Sequence, residues 1–83
     1  MNNKINTIVD VGTHCKKFRI EVLKMSLKEV SNGSNIKTLS AFEHGRSKNI
    51  MHLFKYLESC SDINERIKFM KELCNIMGVE NID

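Results

Sequence analysis

The sequence predicts an all-α domain of five helices, and three observations predict it. Apolar residues recur at intervals of three and four through most of the chain, the spacing of one helical face. No proline occurs among the 83 residues. Gly, Asn and Ser collect where the apolar rhythm stops, at the places where helices need caps and turns. A chain of this length makes one small domain, residues 1–83, burying about two-thirds of its unfolded surface. Its apolar content of 41% is that of a globular protein.

The first helix opens near Thr7-Ile8-Val9-Asp10, which has the outline of a capping box with Asp in place of the usual Glu. Ile8, Val11, Cys15, Phe18 and Val22 then share one face, while Lys16, Arg19 and Lys24 occupy the other, so the helix is expected to reach about Lys24. Gly12 inside it costs roughly 1 kcal/mol against Ala, which points to close packing there. Ser26 with Glu29 forms a Ser-x-x-Glu capping box for a second helix whose apolar side is Leu27 and Val30. Asn32-Gly33-Ser34 break it, because Gly and Asn tolerate the left-handed backbone of a tight turn.

Asn35 or Ser34 caps a third helix with Ile36, Leu39 and Phe42 as its apolar positions, and Gly45 ends it. Two short helices joined by a Gly-containing turn, about residues 26–45, are the outline of a helix-turn-helix. Arg46-Ser47-Lys48 form a basic link to the next N-cap, Asn49. Ile50, Leu53, Phe54 and Leu57 define a fourth helix to about Ser59. After Ser61 and Asp62 comes a fifth, about 62–77, with Ile63, Ile67, Met70, Leu73, Cys74 and Met77 on one face and Gly78 as its C-cap.

Composition narrows the function classes. A net charge of +3 is mildly basic, enough to favour a polyanion without the charge density of a strongly cationic nucleic-acid binder. No apolar run approaches the roughly 20 residues that span a bilayer, and the N-terminus has no signal-peptide core. The expectation is a cytoplasmic protein without a membrane partner. Cys15, Cys60 and Cys74 are odd in number and widely spaced, and His14 beside Cys15 projects about 100° away on a helix, so no metal site is expected. His44 and His52 belong to no nucleophile or acid–base motif, and the chain has no Gly-rich phosphate loop. Neither enzymatic activity nor a cofactor is expected.

Several motifs together resemble the Cro-type, lambda-repressor-like helix-turn-helix family, also called XRE. Gly12, Cys15, Phe18 and Arg19 match its frequent opening, Met25-Ser26 its start of the second helix, and Leu53 and Leu57 its following helix. Leu39-Ser40-Ala41-Phe42-Glu43-His44-Gly45-Arg46 matches the signature at the end of the recognition helix. The matches span roughly residues 11–58. Leu27 stands where the family usually carries a Gln, and Ile36 where a polar base reader is more usual.

The resemblance implies a lambda-repressor-like fold and binding of double-stranded DNA by a phage- or mobile-element-type transcriptional regulator. It implies a structural ion pair between Arg19 and Glu43, and a DNA-facing set of Asn35, Ile36, Lys37, Thr38 and Ala41. Arg46, Ser47 and Lys48, with help from Lys16, Lys17 and Lys28, would reach flanking phosphates. By residue chemistry Lys37 suits guanine or phosphate, Thr38 a base edge or the backbone, and Ile36 and Ala41 thymine methyl groups. Asn35 suits a cap more than a base contact.

The fifth helix either packs back on helices one and four to complete a small core, the favoured reading, or pairs part of its face with a second copy. A homodimer would set two recognition helices about 34 Å apart, matching an inverted-repeat operator. The alternative function is a helix-turn-helix-fold module that binds a protein partner, such as an anti-repressor or a regulator of a host enzyme. Low net charge, Ile36 and the Met-rich fifth helix favour that alternative.

Overall fold

The computed structural model describes residues 7–33 and 35–78. It is all-α: α1 (Thr7–Phe18) runs on into a π-helical turn (Arg19–Leu23), then α2 (Leu27–Ser31), α3 (Ile36–Glu43), a 3₁₀ turn (Ile50–His52) entering α4 (Leu53–Glu58), and α5 (Ile63–Met77). α1 is the hub: it packs against α3, α4 and α5, while α2 packs against α3 and α4. Among the described residues no helix is long and apolar enough to cross a membrane.

Local chemistry explains the helix ends. Ser26 Oγ accepts from the Glu29 amide at 3.1 Å and Glu29 Oε1 accepts from the Ser26 amide at 2.8 Å, a complete capping box. Asn35 Oδ1 caps α3 by accepting from the Lys37 amide, and Asp62 Oδ1 caps α5 by accepting from Asn64. α3 stops in a Schellman turn: the Gly45 amide donates to Phe42 and the Arg46 amide to Ala41, with Gly45 at φ 75°. Asn32 ends α2 in the left-handed region at φ 48°. The Thr7 side chain and Ser34 lie outside the described residues, and with them the expected Thr7–Asp10 capping box.

The core joins Val11, Cys15 and Phe18 of α1, Val30 of α2, Leu39 and Phe42 of α3, Leu53, Tyr56 and Cys60 around α4, and Phe69 and Leu73 of α5. Phe69 stacks on Phe18 with ring centroids 4.2 Å apart and on His14 at 5.0 Å. The three cysteines are free thiols, Cys15 and Cys60 buried and Cys74 half-buried.

Sequence expectations in the first and fourth helices are corrected. α1 does not continue as a regular helix to Lys24. The π turn inserts extra residues per turn and rotates the face, so Val22 is exposed while Leu23 packs on the core. Arg19, expected on the solvent side with Lys16 and Lys24, is buried, because it stands four residues after Cys15 and seven after Gly12 on the face turned toward α3. In the fourth helix Ile50 and Phe54 face solvent, and Leu53 and Tyr56 supply the buried side.

α5 carries the largest correction. Of the expected face, Leu73 is buried and Cys74 half-buried, whereas Ile63, Ile67, Met70 and Met77 are exposed. The helix has two apolar stripes, and the one that holds the bulky Phe69, followed by Leu73 and Ile76, wins the core. α5 thus packs back on α1 through Phe69 and Leu73, while Ile63, Ile67, Met70 and Met77 stay outside the core.

Candidate nucleic-acid interface

The candidate interface is built around α3, and its construction begins at the buried end. Glu43, 4% exposed, is the last residue of α3. Arg19 Nε donates to Glu43 Oε2 at 2.8 Å and Arg19 Nη2 to Oε1 at 3.1 Å, a bidentate ion pair across 24 residues of sequence. Arg19 Nη1 donates to the Met25 carbonyl at 2.9 Å, tying the segment that leads into α2. The Tyr56 hydroxyl of α4 donates to Glu43 Oε2 at 2.7 Å. One carboxylate thus binds α1, α3 and α4 together.

The electrostatics of this node follow from its burial. The Glu43 hydrogen bonds raise the Arg19 guanidinium above its ordinary value, against the opposing effect of burial. Burial, then the hydrogen bond to Glu43, pushes the Tyr56 hydroxyl up. Burial and the nearby Glu43 charge push the Cys15 thiol up to about 12. Arg19, Tyr56 and Cys15 therefore all keep their protons at neutral pH.

Gly12 completes the clamp. A Cβ built there would stand 2.4 Å from the Phe42 carbonyl oxygen and 2.5 Å from that of Glu43. The α1 backbone is pressed onto the end of α3, and no other residue type leaves room. At Gly45 a Cβ would come within 2.9 Å of Val9 Cα, so the turn after α3 also lies on α1.

At its other end α3 is open. Asn35, Ile36, Lys37 and Thr38 are all exposed, Ile36 at 41%. Asn35 has committed its side-chain oxygen to the cap, as propensity favoured. Ala41, one turn beyond Lys37, is half-buried. Arg46 and Lys48 are exposed, but Ser47 is half-buried and its Oγ accepts from the Asn49 amide at 3.2 Å. The structure therefore groups residues 35–38 at the start of α3 and sets 46–48 beyond its far end, about 12 Å away for eight helical residues. Lys16, Lys17 and Lys28 are exposed.

Sequence reasoning missed Tyr56 as the third group on Glu43, although it is the chain's single Tyr and stands three residues after Leu53, on the same helical face. It also missed His52, whose ring packs 5.2 Å from Phe42 and whose Nε2 is buried without a hydrogen-bond partner. Among the described residues no three His, Cys, Asp or Glu side chains are grouped to hold a metal ion. Comparison with protein-family models, with curated proteins and with solved structures gave no match.

Proposed function

We propose that the chain is a sequence-specific double-stranded DNA-binding transcriptional regulator of the cytoplasm, a helix-turn-helix repressor that acts by occupying its operator. The observation that carries this reading is the asymmetry of α3. Its last residue is locked to α1 and α4, while Ile36, Lys37 and Thr38 of its first turn stand exposed on a rigid helix. First-turn residues of a recognition helix are the ones that meet base edges in the major groove. Lys28, Arg46 and Lys48 flank that turn in the sequence as exposed cations for phosphates.

The exposed α5 stripe, Ile63, Ile67, Met70 and Met77, supports a homodimer on an inverted-repeat operator. Selection from a random duplex library, followed by anisotropy at two salt concentrations, tests both points. The expected result is a palindromic site bound more weakly at high salt, with Lys37→Ala costing about 1–3 kcal/mol of affinity and changing the base preference. A monomeric mass by light scattering, free and on the selected site, removes the dimer.

A second reading is supported by a separate observation. Ile50, Met51 and Phe54 form an exposed apolar group at the start of α4, at 62%, 62% and 52% exposure, a surface that suits a protein partner. If the library selection yields no specific, salt-dependent binder, this interaction-module reading takes the place of the first.

A further inference from the structure

We propose that Ile36 reads the 5-methyl group of a pyrimidine on the floor of the major groove, so that each operator half-site carries a methylated pyrimidine, in unmodified DNA a thymine, opposite the first turn of α3. The inference rests on the DNA-binding reading above and deepens it.

Ile36 is the first residue of α3 and is 41% exposed beside exposed Lys37 and Thr38. With α3 in a groove this side chain is pressed onto base edges, where it can neither donate nor accept a hydrogen bond. Burying it against an exocyclic amine or a ring nitrogen would strip that group of water without replacing its bonds. The apolar group that the major groove offers is the C5-methyl of thymine, or of a methylated cytosine.

Two further observations narrow the assignment to Ile36. The preceding residue is already engaged at the helix end: Asn35 Oδ1 accepts from the Lys37 amide at 2.9 Å, which holds that side chain at the cap. Ile36 also forms a wall of a shallow hollow of about 450 Å³ whose other walls are Lys28, Glu29, Ser31, Asn32 and Gly33, with the Glu29 carboxylate accepting from the Ser26 amide at 2.8 Å. A Cβ built at Gly33 would meet nothing within 4 Å, so the chain is open there. Exposed Lys28 at its rim suits the phosphate that follows the base.

The test uses the operator selected from the random duplex library, measured by anisotropy with the wild-type chain and with Ile36→Ala. Each dT is replaced in turn by dU, which removes only the methyl, and each dC by 5-methyl-dC. At one position per half-site, dU is expected to weaken wild-type binding about three- to fivefold, the effect of one buried methyl. Ile36→Ala should bind the dT and dU operators equally, with an unchanged melting temperature. A selected dC at that position whose methylation tightens binding by the same factor makes methylated cytosine the source. Specific binding without any methyl-sensitive position, or methyl sensitivity that survives in Ile36→Ala, overturns the inference and leaves the DNA-binding reading intact. Failure of the wild-type chain to select any sequence overturns both.

Discussion

The two ends of α3 are built on opposite principles. At its C-terminal end Glu43 gathers Arg19 and Tyr56 in hydrogen bonds of 2.7–3.1 Å, and Gly12 allows backbone to touch backbone. At its N-terminal end, eight residues earlier, side chains stand in solvent and the fixed contact is a cap. A buried ion pair stabilises little on balance, because desolvation offsets attraction, but removing one partner strands the other. The C-terminal end therefore governs whether the helix is held at all, whereas the N-terminal end is free to vary without disturbing the fold. Changes at the first should show in stability, and changes at the second in affinity.

Glu43→Ala has the largest expected effect. It leaves a buried guanidinium and a buried phenol without their acceptor, and a loss of about 3–5 kcal/mol in urea unfolding is expected. Retention of full stability would show that the node does not hold α3. Gly12→Ala comes next, at about 1–3 kcal/mol, because the new methyl meets carbonyl oxygens that cannot swing away as a side chain would.

The node also fixes a pH dependence. Cys15, raised from 9.0 to about 12, and Tyr56, also raised, keep in the folded state protons that the unfolded chain releases. Stability should thus be full below about pH 9 and fall as pH rises toward about 12, by on the order of 1 kcal/mol for the first unit. Cys15→Ala should flatten the early part of that fall, measured by thermal melting between pH 8 and pH 10.5.

At the free end the effects are smaller. Asn35→Ala should cost about 1 kcal/mol of stability through the lost cap. Lys37→Ala should change stability by less than about 0.5 kcal/mol, as for an exposed surface position. A large stability loss at Lys37 would mean that this end too is part of the scaffold.

Much of the anchored end was legible in the sequence. The run from Leu39 to Gly45 pointed to the helix end, and the family resemblance that it carries with Gly12 and Arg19 implied the pair of charges that the structure brings together. Caps were equally legible at Ser26 and Asn35, since a capping hydrogen bond spans only two or three residues and depends on the local chain alone. Tyr56 was not legible as the third partner of Glu43, because nothing within α4 says which way its hydroxyl faces.

Faces of helices were legible only where one apolar stripe existed. α5 has two, and periodicity assigns both to a helix without saying which is inside. The choice fell to Phe69 because its ring fills the space beside Phe18 and His14, a fact of volume and neighbours rather than of spacing.

Local sequence alone thus determined that this chain is helical and where α2, α3 and α5 begin, since capping depends on short-range chemistry. Tertiary structure decided which sides those helices bury, where the π turn swaps Val22 for Leu23, and that Glu43 holds three helices rather than two. Burial is a competition among all surfaces of the molecule for a limited interior, and its outcome depends on the shapes that meet there.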